Sequence, residues 1–188
     1  MNEDRNKKYK IIYADPPWAY RVWSKKGQGR SAESHYKTMN LEDICNLRIN
    51  EIADKDSVLL MWATAPCLEQ AFKVLSSWGF TYKTVAFTWI KQNKKQPTLF
   101  WGMGYYTRAN AEFCLLATKG KPLKRLSHKV HQVIISPIEE HSKKPEEAKL
   151  RIVELFGNQP RIELFARQAS KGWDIWGFEA PDGLTLKL

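Results

Sequence analysis

Tyr9–Trp18 reads YKIIYADPPW, and the rest of the chain is best understood outward from it. Tyr9–Ala14 is a short, β-rich apolar run. It stops at Asp15-Pro16-Pro17, where two residues without an N–H end any strand ladder. In open parallel sheets, ligands bind in the crevice outside the carboxyl ends of the strands. Asp15 and the carbonyl of Pro16 are two hydrogen-bond acceptors at such an end, with the aromatic plane of Trp18 beside them. An exocyclic amino group on a flat ring carries two N–H donors and is the complementary object. The alternative reading of the same residues is a strand-ending turn with a buried Trp.

Downstream, Trp18–Thr38 has no period and is expected to be a long loop. Loops of this length inside a domain are usually functional. Asn40 and Asp43 resemble a capping pair that opens a short helix over Leu41–Leu47. Ser57–Ala63 is a candidate buried strand. Pro66–Trp78 is expected to be a helix, with Leu68, Phe72 and Leu75 on one face and Gly79 as its stop. Phe80–Ile90, Phe113–Thr118, Val133–Ile135, Arg161–Phe165 and Trp173–Trp176 are further strands, and Pro145–Phe156 is a helix with acids in its first turn. Strands alternating with amphipathic helices predict an α/β fold, a mostly parallel sheet with helices on its faces. There is no repeat, linker or low-complexity tract, so residues 1–188 are expected to form a single domain.

Charge narrows the function classes. The chain has 30 Lys and Arg against 20 Asp and Glu, a net charge of +10. The excess is local: residues 19–37 hold five bases and one acid, and residues 91–130 hold nine bases and one acid. Two basic segments on a near-neutral body fit a polyanion, most simply nucleic acid, contacted by Lys25, Lys26, Lys94, Lys95 and Arg108. A second stretch, Lys119–Lys129, competes for the same role. Trp18, Trp23 and Trp101 fall in expected loops, where stacking on bases is open to them. Three scattered cysteines exclude a disulfide scaffold and fit a reducing, cytoplasmic setting. The four histidines share no metal-ligand spacing, so no metal is expected. No apolar run approaches the ~20 residues of a membrane span.

Ile12–Trp18 (IYADPPW), Gly120-Lys121-Pro122, Ser142-Lys143-Lys144-Pro145 and Arg161–Arg167 (RIELFAR) together resemble, in the same order, the adenine-N6 methyltransferases typified by the catalytic subunit that methylates adenosine in messenger RNA. The resemblance covers about residues 10–180 and points to a compact prokaryotic or phage member. It implies a Rossmann-like, S-adenosylmethionine-dependent methyltransferase fold whose catalytic motif precedes its cofactor motif. It also implies catalytic roles for Asp15, Pro16, Pro17 and Trp18, and cofactor contacts from Lys144, Glu163, Phe165 and Arg167. Lys144 would neutralise the methionine carboxylate, helped by the helix that starts at Pro145.

Two positions depart from the messenger-RNA member, which has His-Asn where Ala169-Ser170 stand here and Asn-Gln where Phe178-Glu179 stand. Ser170 and Glu179 are retained as cofactor candidates, Glu179 because an acid at a strand end accepts bonds from ribose hydroxyls. Glu163, between apolar neighbours, is either functional or paired with Arg161 or Arg167. The expected reaction is methyl transfer to adenine N6 in DNA, with Asp15 and the Pro16 carbonyl accepting the amino N–H bonds and Trp18 stacking on the base. The same reaction on RNA, and an inactive nucleic-acid-binding partner subunit, are the alternatives.

Overall fold

Along β2 (Ala53–Thr64) successive side chains enter two different cores. Leu59, Met61 and Ala63 join one, while Val58, Leu60 and Trp62 join the other. That is the period-two signature of a strand covered on both faces. The computed structural model describes residues 7–19, 38–139, 143–177 and 188. The remaining strands are β1 (Tyr9–Ala14), β3 (Thr81–Gln92), β4 (Glu112–Lys119), β5 (Val133–Pro137), β6 (Arg161–Leu164) and β7 (Asp174–Trp176). They form one seven-stranded sheet in the order β5-β3-β4-β2-β1-β6-β7. β4 runs antiparallel to both its neighbours, and the other four pairings are parallel.

Helices close both faces. Ile44 of α1 (Leu41–Cys45) and Ala71, Val74 and Leu75 of α2 (Leu68–Ser77) cover the first core. Ala148, Ile152 and Phe156 of α3 (Glu146–Phe156) cover the second. Each fully buried Ile, Val, Leu or Phe among them contributes on the order of 1.5–3 kcal/mol, the alanines less. Asn40 caps α1 as the sequence predicts, its side-chain oxygen accepting from the Asp43 amide at 2.8 Å.

The expected face of α2 needs correction. Phe72 is 40% exposed and meets Tyr82 edge-on, while Ala71 and Val74 are buried. Pro66 lies in a 3-10 turn, Ala65–Cys67, before the α-helix begins. At about 100° per residue Phe72 stands about 160° round the helix from Val74, so the buried stripe runs through Ala71, Val74 and Leu75, keeps Leu75 of the expected face and leaves Phe72 on its flank. Gly79, at φ +79°, lets the chain leave α2 for β3.

The register brings one set of strand ends to a single edge. Ala14 lies beside Met61 and Leu164, Thr64 beside Glu112, and Gln92 beside Pro137. Because β4 is reversed, it is its first residue, Glu112, that sits on this edge. Its last residue, Lys119, starts the basic stretch Lys119–Lys129 on the opposite edge. β1 has β2 on one side and β6, reached through α3, on the other. The crevice outside the ends of β1 and β6 is therefore the place where a ligand site is expected in such a sheet.

Candidate active site

Asp15 follows the last residue of β1, and the motif after it is pinned from several sides. The Trp18 amide donates to the Pro16 carbonyl at 2.8 Å, closing a tight turn, and the Met39 amide donates to the Pro17 carbonyl at 3.0 Å. Trp18 is 6% exposed, packs in the first core, and donates from Nε1 to the Trp62 carbonyl at 3.0 Å. Trp62 in turn donates from Nε1 to the Tyr13 hydroxyl at 2.6 Å. Two expectations change as a result. The Trp18 indole is buried and its N–H is used inside the protein, so in this structure it anchors the motif and presents no open face to a base. The Pro16 carbonyl is already engaged by one N–H, which leaves its second lone pair for a ligand.

Lys144, one residue before the Pro145 cap of α3, joins Asp15. Its Nζ lies 2.8 Å from Asp15 Oδ2 and 3.4 Å from Glu112 Oε2, with its side chain 9% exposed. Lys91, from the end of β3, holds the other Glu112 oxygen at 2.5 Å. Alternating charges thus link three strands and a helix start: Asp15, Lys144, Glu112, Lys91. Burial pushes the Asp15 carboxyl above the ordinary carboxylate range; Lys144 opposes this, and Glu112 adds to it. Burial pushes Glu112 the same way, but the ammonium groups of Lys144 and Lys91 outweigh it and hold its carboxyl below the ordinary range.

A second cluster borders the crevice from the β6 side. Lys149, on α3, pairs with Glu163 at 3.1 Å and with Glu146 at 3.0 Å, and donates to the Ser170 hydroxyl. The cation beside Glu163 is thus Lys149, from the helix, in place of the expected Arg161 or Arg167. Burial raises the Glu163 carboxyl, with Lys149 opposing. Phe165 stands just past β6 at φ +62°, a left-handed conformation rare for an aromatic residue, and meets Trp176 edge-on at 5.5 Å. Strain of this kind clusters at functional sites. Arg167 is exposed, yet near enough to help lower the Asp15 carboxyl.

Of the residues singled out from sequence, Asp15, Pro16, Pro17, Trp18 and Lys144 come together in one cluster. Glu163 and Ser170 come together in the next, with Phe165 at the strand end between β6 and the turn. Lys94, Lys95 and Arg108 are exposed on the segment between β3 and β4. Lys25, Lys26, Trp23 and Glu179 lie outside the described residues. Glu112, Lys91 and Lys149 are additions that the sequence reading does not anticipate. Glu112 does leave a signal, being the single acid among the nine bases of residues 91–130. An isolated acid at the start of an apolar strand in a basic segment is held there by partners. Lys149 leaves none, since one lysine on a charged helix face looks like any other.

Comparison with known proteins identifies the family. The MT-A70 family model matches residues 9–179. The type II methyltransferase M.MunI of Mycoplasma sp is 36% identical over 94% of this chain and 79% of its own length. The N(6)-adenosine-methyltransferase catalytic subunit METTL3 of Homo sapiens is 28% identical over 95% of this chain, and an MT-A70-like N(6)-adenosine-methyltransferase of Arabidopsis thaliana is 27% identical over 87% of it. The chain spans only 29% and 22% of the length of those two relatives. With nearly the whole sheet matched, and its motif at the edge where the charged residues converge, the chain belongs to the MT-A70 family.

Proposed function

We propose that this chain is an S-adenosylmethionine-dependent methyltransferase acting on the N6 amino group of adenine in DNA, with residues 1–188 as one methyltransferase unit. The observation that carries the reading is Asp15: a carboxylate of raised proton affinity at the end of β1, held in place by Lys144 beside the β1–β6 crevice. DNA is favoured because the Mycoplasma relative, which shares most of its length with this chain, is named a type II methyltransferase. RNA is the second reading, since the human and plant relatives are named adenosine methyltransferases.

The donor set suits the cofactor. Lys144 and the start of α3, where the Ala148 amide already donates to the Pro145 carbonyl and the amides of Glu146 and Glu147 precede it, suit a carboxylate. Glu163 and Ser170 suit hydroxyls, and Phe165 suits a flat ring. When bound, S-adenosylmethionine supplies an electrophilic methyl group on a sulfonium. The chain's own contribution is positioning. The adenine amino lone pair is delocalised into the ring and is a poor nucleophile. Asp15 and the free lone pair of the Pro16 carbonyl accept its two N–H bonds, draw the nitrogen toward tetrahedral geometry and stabilise the positive charge that develops there. Lys144 keeps Asp15 ionised and oriented despite its burial. As the nitrogen gains the methyl, the Asp15 carboxylate is placed to accept the proton it loses.

Genomic DNA and total RNA from cells with and without the protein, digested to nucleosides and measured by mass spectrometry, test the reading. N6-methyldeoxyadenosine should rise in the DNA. A rise confined to RNA would select the second reading, and no rise in either would remove the activity.

A further inference from the structure

Between β3 and β4, residues 93–111 form a hydrogen-bonded ribbon, and none of them belongs to either apolar core among the described residues. Gln92 pairs with Leu99, and Gly102 with Ala109, in antiparallel bridges. Asn93 donates from its side chain to Thr98 and to the Leu99 carbonyl. Asn110 accepts from the Lys91 amide and donates to the Lys91 and Phe100 carbonyls. At the tip, a Cβ on Gly104 would sit 2.1 Å from the Thr107 carbonyl oxygen, so this turn requires glycine. The ribbon is therefore built by polar bonds, and several of its large apolar side chains are exposed. Trp101 is 53% exposed, Met103 82%, Tyr105 75% and Tyr106 93%, and the two tyrosine rings meet edge-on at 4.8 Å. An exposed apolar cluster on a shaped element marks an interaction site.

Charge selects the occupant. Residues 91–111 contain Lys91, Lys94, Lys95 and Arg108 and no acid. A second copy of a chain with net charge +10 would bring like charge to this tip. A polynucleotide brings phosphates for the lysines and flat unstacked bases for the rings. The ribbon also springs directly from the site edge: Lys91 and Glu112, at its two ends, are ion-paired to each other, and Glu112 reaches Lys144. We propose that Trp101, Met103, Tyr105 and Tyr106 form a stacking wedge that engages the nucleotides beside the target adenine and holds them unstacked. This rests on the reading of the site as an adenine methyltransferase, and it assigns the ribbon the task of presenting a base that must leave its stack to react.

The test compares wild type with Tyr105→Ala/Tyr106→Ala and with Tyr105→Phe/Tyr106→Phe. The probe is a single-stranded DNA oligonucleotide with 2-aminopurine next to one adenine. Losing one stacked base should weaken binding by about 5- to 150-fold in the alanine variant. It should also abolish the change in 2-aminopurine fluorescence that wild-type binding produces, while the phenylalanine variant behaves as wild type. S-adenosylmethionine affinity and thermal midpoint serve as folding controls, and Trp101→Ala, with a similar loss, is the second variant should the double alanine fail them. Unchanged oligonucleotide affinity and fluorescence in folded alanine variants would overturn the proposal. So would a fall in sedimentation coefficient without loss of DNA affinity, which would make the tip a contact between protein chains. If binding depends on the tip but no methyl group reaches adenine, the wedge stands and the methyltransferase reading fails.

Discussion

Asp15 is under two opposed influences, and separating them gives a pH signature. Burial and the nearby Glu112 charge raise its carboxyl above the ordinary value of ~3.9, while Lys144 lowers it. The ionised form is the hydrogen-bond acceptor, so kcat/KM should fall on the acid side as pH drops through this raised value. Lys144→Met removes the lowering influence and should move that acid limb to higher pH. Glu112→Gln removes a raising one and should move it to lower pH. A pH–rate profile of both variants checks the pair, and shifts in the same direction would contradict the cluster as described. Stability follows the same logic. A group whose folded pKa is raised contributes stability that is full below the ordinary value and lost as pH rises through the folded one; Asp15 and Glu163 behave in this way. Glu112, held low, does the reverse.

At the scale of elements, boundaries are legible in the sequence wherever local chemistry decides them. The Asn40 cap, the Gly79 stop and the two prolines after Asp15 each act within a few residues, and each marks a boundary present in the structure. Asn40→Ala should cost about 1 kcal/mol, or about 2–4 °C in melting temperature for a chain of this size, as differential scanning fluorimetry would show. Phase and partnership are not legible in the same way. The buried face of α2 escapes a reading that follows the large apolar residues, because the small Ala71 is buried and Phe72 is not. The Trp18 indole is expected from sequence to meet a ligand, whereas its depth depends on Trp62, which is remote in the chain. Lys91 and Glu112 are distant in sequence from Asp15 and Lys144; Lys91 reaches the edge at the end of β3, and Glu112 reaches it because β4 is reversed. The length of β4 separates the two basic stretches, which lie at its opposite ends. Replacing Lys94, Lys95 and Arg108 with Gln should therefore flatten the log–log salt dependence of DNA binding by about 0.7–0.9 for each phosphate that is no longer neutralised. Neutralising Lys121, Lys124 and Arg125, on the far edge, should leave the slope nearly unchanged. Fluorescence anisotropy across a salt series reads both, and the opposite ranking would place the polynucleotide on the other edge.

For the molecule as a whole, the sheet is a frame that delivers acceptors, cations and a strained strand end to one crevice, and the described residues include no helix long and apolar enough to cross a membrane. The family and the sheet are legible from Ile12–Trp18 and the RIELFAR segment, because those residues carry backbone geometry and chemistry together. The charge chain behind Asp15 is not, because it is assembled from three strands and a helix start. Its consequence can be measured in one reaction. Purified protein, methyl-labelled S-adenosylmethionine and an adenine-containing DNA are mixed under single-turnover conditions, and the nucleosides are identified by mass spectrometry for wild type and Asp15→Ala. The expected result is N6-methyldeoxyadenosine from the wild type, with the rate reduced on the order of 10²–10³ in the variant while calorimetry shows cofactor binding retained. Label on any atom other than N6, or a variant that keeps more than about half the wild-type rate where that loss is expected, would contradict the role given to Asp15.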